Sequence, residues 1–331
     1  MLHTIISWDC CFRNFHHLID GLLCQEFPTD QFELIFVEQR SKEMSDNYNH
    51  QYGLPSLGDR WAQAREKINF SVLYLDDPLS KPYHLGKCNN AGLEHAQGDI
   101  VSIMDGDQLL PPDFLIKLTS AISKNPSAVL GIERKMAAFP VGVNSYGDWM
   151  HASNDFDKCL TACKGRYDPP PRKINNYGPM IAASKSLWSK IGGYDPSPVW
   201  ATFLSTSGAD VGARLTIAGG LPGEYLPACF AVHPWHPVAP DSLRSDPRGQ
   251  KFFGLQRKLT EYSVQHSLSH HKDREELHRR IFTENEEFIN SILGMREIDE
   301  LQQEVDKSGL MMPKMICSFT QFSRRLASFL R

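Results

Sequence analysis

Apolar residues in the first 125 positions fall into two alternating kinds of segment. Short continuous apolar runs lie near residues 3–8, 32–38, 70–75 and 100–104, and their length is typical of buried strands. Between them, the segments near 14–26, 58–67, 86–96 and 112–123 are predicted to be helices, the first because its apolar residues follow helical spacing. This alternation predicts an α/β fold in which helices cover both faces of a doubly wound sheet.

The pattern changes further along the chain. Residues 126–240 complete the predicted α/β domain, but the segment 140–175 is rich in Gly, Asn, Asp and Pro, which predicts a loop. From about residue 250, apolar and charged positions alternate along amphipathic helical stretches. We therefore expect one α/β domain over residues 1–240 and a C-terminal helical extension over 241–331.

Composition narrows the class of protein. The formal net charge of −4 over 331 residues gives no electrostatic reason to expect a nucleic-acid partner. No run of eighteen apolar residues occurs, and Asp9, Arg13 and Asp20 interrupt the region where a signal peptide needs an apolar core. We therefore expect a cytoplasmic protein.

The eight cysteines are scattered through predicted strands and helices, which favours reduced thiols over a disulfide framework. Cys159 and Cys163 have the helical spacing of half a metal site. Ordinary packing is favoured for this pair, because no second Cys or His pair stands at zinc-finger distance.

Two carboxylates follow the apolar run 100–104 directly, in the order Asp105, Gly106, Asp107. The carboxyl ends of strands are where open α/β sheets bind ligands, and carboxylate oxygens are the donors that Mg²⁺ and Mn²⁺ prefer. These ions commonly complete their coordination with substrate phosphates and water. The sequence therefore indicates a metal and diphosphate site, with a simple Asp-Gly turn as the alternative.

Four blocks of sequence stand in a recognisable order at residues 4–25, 32–38, 85–96 and 176–236. The last block contains Gly192, Gly193, Tyr194 and Asp195, then Asp210 and Arg214, then His233 and His236. From about residue 3 to residue 240 the chain resembles the A-type glycosyltransferases, most closely the large inverting family 2. The order and spacing of the blocks carry this resemblance, because each block alone is short.

The resemblance implies a single GT-A-type domain with a mixed sheet, in which residues 1–125 form the nucleotide-binding half and 126–240 the acceptor half. It also implies an activity. A metal-dependent, inverting enzyme would move a sugar from a nucleotide sugar, a UDP-sugar by the family pattern, to a hydroxyl of a glycan or lipid-linked acceptor. The implied cofactor is Mn²⁺ or Mg²⁺.

Metal-site roles follow from the resemblance. Asp107 is the expected direct ligand, and Asp105 is expected to contact the ribose or a metal-bound water. A histidine from a late strand completes the site in related enzymes, and His233 is preferred over His236. A packed or hydrogen-bonded structural histidine is the alternative at this position.

Nucleotide contacts are implied at four further positions. Glu38 replaces the aspartate that usually bonds the uracil, so the extra methylene changes its reach. Trp8 either stacks on the base or belongs to the core. Asp76 and Lys87 take the positions of base-recognition and diphosphate-side groups, with a solvated turn and an ordinary surface lysine as the alternative.

Asp210 is the expected general base, since the family carries a carboxylate here at the start of a helix that faces the acceptor. The usual acidic residue before it is Ala209, which removes a common acceptor contact. The turn at Gly192 to Asp195 is implied to shape the donor-sugar pocket. The alternative for Asp210 is a helix cap, a role that asparagine fills nearly as well.

Two other functions compete with transfer. A sugar-nucleotide nucleotidyltransferase would need a glycine-rich phosphate loop after the first strand, and residues 7–14 contain no glycine. A catalytically weak relative that binds nucleotide sugar or glycan as a partner subunit is supported by Ala209 and Glu38.

Residues 314–331 are apolar and basic, which is typical of a helix on an anionic membrane or, more often, of one packed on protein.

Overall fold

The computed structural model describes residues 2–8, 15–43, 58–77, 84–106, 108–136, 180–201, 207–233 and 247–293. Within these ranges the strands are β1 His3–Trp8, β2 Phe32–Glu38, β3 Asn69–Tyr74, β4 Ile100–Asp105, β5 Leu130–Met136, β6 Met180–Ser184 and β7 Glu224–His233. The helices are α1 Phe15–Leu23, α2 Gly58–Lys67, α3 Leu85–His95, α4 Phe114–Lys124, α5 Lys185–Ile191, α6 Ser207–Gly219, α7 Pro247–Gln265 and α8 Glu275–Leu293.

These strands form one sheet in the order β3-β2-β1-β4-β6-β5-β7. β1 pairs in parallel with β2 and β4, and β2 with β3, so the carboxyl ends of four strands lie at one edge. β6 runs antiparallel to β4 and β5, while β5 and β7 are parallel. The predicted doubly wound, mixed α/β sheet is therefore confirmed.

Two apolar layers hold the helices on the sheet, because successive strand residues point to opposite faces. Ile5 packs with residues of α1, α2 and α4 on one face. Its neighbour Ile6 packs on the other face with residues of α3, α5 and α6. The predicted strands and helices of the first 125 residues lie within a few residues of the observed ones. The predicted loop at 140–175 lies outside the described residues.

The C-terminal extension begins as predicted with amphipathic helices. α7 and α8 pack together in a third apolar cluster, which also includes Val199 and Trp200 from the short 3-10 turn Pro198–Trp200. This cluster fixes the extension onto the α/β domain through a segment that precedes α6. The stretch 314–331 lies outside the described residues, so its membrane role stays a prediction. None of the described helices is both long enough and apolar enough to cross a bilayer.

The buried His3 of β1 makes stability sensitive to pH. His3 has no exposed surface, its Nε2 lies 2.7 Å from Thr119 Oγ1, and burial lowers its pKa from 6.5 to about 4. As the pH falls from 6.5 towards 4, His3 therefore binds a proton in the unfolded chain but not in the folded chain. We expect the free energy of unfolding to fall by about 2 kcal/mol between pH 6.5 and 5 because of this residue.

Urea unfolding of the parent and of His3→Gln at both pH values measures this effect. The variant is expected to show a shallower dependence, since glutamine can still bond Thr119 and does not titrate. Part of the dependence remains, because burial also lowers the pKa of the half-buried His271 to about 4. If the free energy of unfolding depended equally on pH in the two proteins, a residue other than His3 would cause the effect.

Candidate functional site

Asp105 ends β4 at the shared carboxyl edge of the parallel strands. Its backbone is in register with Trp8, the last residue of β1. The side chain is 37% exposed, and its Oδ2 lies 3.7 Å from Nη1 of Arg134 on β5. Here β4 has a parallel neighbour on one side and an antiparallel one on the other, and open α/β sheets bind ligands at the carboxyl ends of their strands. Asp105 therefore offers an accessible carboxylate where the sequence predicted one.

Other predicted metal ligands are less completely described. Asp107 and His236 lie outside the described residues, as does the side chain of His233. The backbone of His233 ends β7, and Leu109 exchanges two hydrogen bonds with the adjacent Val232, at 2.9 and 3.0 Å. This bridge brings the end of β7 beside the segment that follows Asp107.

The surroundings of Glu38 do not favour the nucleotide contact predicted for it. Its side chain is 1% exposed, and both carboxylate oxygens accept hydrogen bonds from Arg40. The Nη2 to Oε2 distance is 2.8 Å. A carboxylate that is buried and bonded in this way is not free to contact a nucleotide base, so the predicted contact is not supported. Arg40 lies only two positions from Glu38, but no pattern in the sequence indicated that the two side chains would bond.

Asp76 and Lys87 reach the same edge of the sheet. Backbone bonds from Leu75 to Glu38 and from Asp77 to Gln39, both 2.9 Å, run the segment after β3 alongside the end of β2. Asp76 is exposed there with a positive φ of 53°. The Lys87 side chain is 48% exposed, with its Nζ 4.0 Å from Asp77 Oδ2. Trp8 ends β1 nearby, and its side chain lies outside what the structure describes.

The first turn of α3 is held firmly at this edge. Gln39 Oε1 accepts a 2.8 Å hydrogen bond from the backbone of His84, which is the residue before α3. The His84 ring caps the helix by accepting from Lys87 N, and its Nε2 lies 3.1 Å from Pro196 O. Burial lowers the pKa of His84, which suits an acceptor role. A helix N-terminus with a nearby lysine is a favourable environment for an anion.

Asn89 was given no role from the sequence, and Tyr194 was named only as part of the turn implied to shape the donor-sugar pocket. Asn89 of α3 has no exposed surface, and neither amide atom has a hydrogen-bond partner of good geometry among the described residues. Tyr194 lies close to it, and its pKa is raised by burial and then by the charge of Asp105. Asn90 bonds both N and O of Tyr194, at 2.8 and 2.9 Å. A buried amide without partners is costly unless something else bonds it.

The general-base role predicted for Asp210 does not fit its surroundings. Asp210 lies in the first turn of α6 and is 1% exposed. Its Oδ2 accepts from Arg214 Nε at 2.9 Å and from Arg274 Nη2 at 2.8 Å, while Thr260 donates to Oδ1 at 3.1 Å. Burial alone would raise the pKa of Asp210, but the charges of Arg214 and Arg274 hold it below its ordinary value. A buried carboxylate that binds protons weakly is a poor base, so these surroundings do not favour the predicted role.

Arg274 joins Asp210 to the predicted donor-pocket turn. Its Nη1 also donates to Asp210 Oδ1, and its Nη2 donates to Asp195 Oδ2 at 2.7 Å. Asp195 also meets His278 of α8. Burial opposes ionisation of Asp195, but His278 and then Arg274 hold its pKa far below the usual range. Arg274 and His278 were missed because their partners lie far away in the sequence.

Comparison with known proteins assigns the family. Residues 11–199, more than half of the chain, match the model of the family described as "Glycosyltransferase like family 2". The glucosyl-dolichyl phosphate glucuronosyltransferase of Haloferax volcanii is 23% identical over 190 residues, which are 56% of this chain and 52% of that protein. The poly(ribitol-phosphate) beta-N-acetylglucosaminyltransferase TarS of Staphylococcus aureus is 28% identical over 130 residues, which are 39% of this chain and 19% of TarS.

The chain thus spans about half the length of the first relative and about a fifth of the second. Among solved structures, S. aureus TarS 1–349 in complex with UDP aligns over 78% of this chain and 65% of that chain, with 16% identity and a TM-score of 0.49. The mannosyltransferase PcManGT of Pyrobaculum calidifontis, in complex with GDP-Man and Mn²⁺, aligns over 93% of this chain and 84% of that chain. Its identity is 13% and its TM-score 0.48.

The matched region runs from just after β1 to the 3-10 turn before α6, so it contains β2 to β6 and the carboxylate of Asp105. It excludes α7 and α8. The resemblance inferred from the sequence blocks is confirmed over this region, and the chain belongs to the glycosyltransferase-like family 2.

Proposed function

We propose that this protein transfers a sugar from a nucleotide sugar to an acceptor hydroxyl in a metal-dependent reaction. One observation carries the proposal: a half-exposed carboxylate, Asp105, stands at the carboxyl end of β4 in a chain of this family. Both relatives named above are glycosyltransferases, which agrees with sugar transfer. The acceptor is proposed only as a class, a glycan or a lipid-linked acceptor. A cytoplasmic location is also proposed.

For the metal we propose Asp105 and Asp107, with His233 completing the site. Oxygen and imidazole donors at a strand end suit Mn²⁺ and Mg²⁺. The bridge between Leu109 and Val232 supports His233, because it sets the last residue of β7 beside the Asp105 to Leu109 segment. His236 lies outside the described residues and stays the second choice. When bound, the cation would neutralise charge on the departing diphosphate.

For the diphosphate we propose the first turn of α3 together with Lys87. The backbone N–H groups of a helix N-terminus and a lysine both favour an anion, and Lys87 is exposed on the side of the turn where Asp77 lies. His84 and Gln39 fix this turn to the end of β2. Asp76 and Trp8, at the same edge, are proposed to contact the nucleoside.

For the transferred sugar we propose a site formed by Asn89 and Tyr194. The Asn89 amide can donate to and accept from sugar hydroxyls, and among the described residues neither of its two buried polar atoms has a hydrogen-bond partner of good geometry. The charge of Asp105 contributes to the raised pKa of Tyr194, which supports a sugar site on the Asp105 side of Tyr194. Inversion at the anomeric carbon is proposed from family membership. We assign proton transfer from the acceptor to none of the described carboxylates.

Release of free nucleotide tests this function. With Mn²⁺ present, we expect the protein to liberate UDP or GDP from one member of a panel of UDP- and GDP-sugars, and EDTA to abolish the release. The panel contains both uracil and guanine nucleotides, because the Glu38 carboxylate that was predicted to recognise the base is bonded to Arg40. With an α-linked donor, proton NMR of the product is expected to show a β linkage. A retained α linkage would contradict inversion. The control for nucleotide release is Asp99→Asn, at the amino end of β4, which is expected to stay active.

A second candidate is a nucleotide-sugar-binding relative with little catalytic power. The occupied Asp210, with Ala209 beside it, favours this reading. Such a protein would show a Mn²⁺-dependent thermal shift with a nucleotide sugar, because binding stabilises the folded state by mass action. It would not liberate nucleotide with any acceptor. A thermal shift without release would thus select the second candidate, and the absence of both would overturn the nucleotide-sugar site.

A further inference from the structure

Arg274 belongs to neither the matched family region nor the carboxyl edge of the sheet. It ends the 3-10 turn His271–Arg274 between α7 and α8, and it is fully buried. Its guanidinium has five N–H groups, and the surrounding acceptors engage all three nitrogens. The acceptors are the carboxylates of Asp195 and Asp210, the hydroxyl of Ser263 and the carbonyl of Leu259.

Arg274 bonds Asp195 in the turn at residues 192–195, and the backbone of this turn has little conformational freedom. Gly192 and Gly193 adopt φ angles of 68° and 69°, in the left-handed region that favours glycine. A Cβ on Gly192 would lie 2.4 Å from His270 Nε2, and one on Gly193 would lie 2.5 Å from Asn90 Oδ1. The segment before Arg274 and the helix α3 therefore pack closely on opposite parts of this turn.

The same turn contacts the proposed diphosphate side. Pro196 O lies 3.1 Å from Nε2 of His84, the residue that caps α3. A Cβ on Gly86, in the first turn of α3, would lie 3.2 Å from Asp195 O. Asn90 bonds the backbone of Tyr194 on both sides. Movement of Asp195 would therefore disturb the α3 N-terminus and Tyr194 together.

We propose that Arg274 is a positioning residue for donor binding: through Asp195 it fixes residues 192–197 against the first turn of α3 and holds the backbone of Tyr194 against Asn90. The C-terminal helices are then part of the donor site, although they lie beyond the matched family region. His278 supports the same contact from α8, because it bonds Asp195 and lies 3.2 Å from Ser197 Oγ. This inference rests on the proposed nucleotide-sugar site.

The test variant is Arg274→Lys, which keeps the buried charge but cannot bond both carboxylates with a planar fork. We expect the donor KM, or the Kd for UDP with Mn²⁺, to rise about 2-fold to 30-fold with little change in kcat. The matched control is Arg279→Lys on α8, whose partner Glu276 is at 2.6 Å and whose side chain is 69% exposed. Unchanged donor affinity in Arg274→Lys would overturn the proposal.

Two further measurements separate positioning from loss of stability. Ile289→Ala opens a cavity in the third apolar cluster and is expected to lower Tm without changing donor affinity. If Arg274→Lys does not fold, His278→Asn takes its place. The expected result is then weaker UDP binding at an otherwise intact fold, and parental affinity in this variant would overturn the proposal.

Amide hydrogen exchange of the full chain without ligand keeps the test independent of the proposed function. Arg274→Lys is expected to lose protection at residues 85–90 and 192–197 while β1 and β4 stay protected. Parental protection at both segments would overturn the positioning role. If the parent itself binds no UDP, the nucleotide-sugar site fails, and a loss of exchange protection would still establish the coupling between Arg274 and α3.

Discussion

Replacing Asp210 by asparagine is expected to lower the free energy of unfolding by about 3–5 kcal/mol. The carboxylate lies between Arg214 and Arg274, whose side chains are fully buried. An amide would leave these guanidinium charges undercompensated in a region that water does not reach. Urea unfolding and Tm measure the loss. Turnover is expected to fall only as far as the folded fraction falls, because folded molecules of the variant keep their activity.

Asp113→Asn is the matched control for this substitution. Asp113 also pairs with a basic residue, Lys117 at 2.8 Å, but its side chain is 41% exposed. Exposed pairs contribute about 0–1 kcal/mol, so little change in stability is expected. An Asp210→Asn protein that melts with the parent but has lost transfer by orders of magnitude would contradict the structural role and restore Asp210 as the general base.

Replacing Asp105 by asparagine is expected to weaken Mn²⁺-dependent UDP binding by about 10–100-fold or more, the range found for groups that support a metal site. The amide has nearly the volume of the carboxylate but lacks the charge that a hard cation prefers. Asp107→Asn is expected to abolish the binding more completely, since Asp107 is the proposed direct ligand. Titration calorimetry with UDP, with and without Mn²⁺, measures both.

The fold is expected to survive Asp105→Asn. Asp105 Oδ2 lies 3.7 Å from Nη1 of the half-exposed Arg134, and exposed pairs of this kind add little stability. Asp99→Asn, at the exposed amino end of the same strand, is the control and is expected to bind like the parent. Parental Mn²⁺-dependent affinity in both the Asp105 and Asp107 variants would rule out the metal site.

The two substitutions address different functions of similar residues. Both are aspartates close to the predicted donor pocket, and both were assigned to chemistry from the sequence. Asp105 is 37% exposed and lies 3.7 Å from Arg134, whereas Asp210 is buried and accepts bonds from two arginines. Stability without ligand and metal-linked UDP binding therefore distinguish a binding carboxylate from a structural one.

Sequence by itself determined the elements of the nucleotide-binding half and the location of Asp105. A run of apolar residues such as 100–104 makes a buried strand wherever it pairs, and the polar residue that ends the run must lie at the strand's end. The turn at Gly192 and Gly193 follows in the same way, because its backbone angles favour glycine. These features are local, so the spacing of a few residues was sufficient.

Tertiary structure alone decided which carboxylates are buried against arginines. Arg274 meets Asp210 across 64 positions and Asp195 across 79, and no local pattern announces either contact. Glu38 and Arg40 are close in sequence, but only their shared burial commits the carboxylate to the arginine. Burial decides because a buried charge must find a partner, whereas an exposed charge is solvated by water and stays available to a ligand.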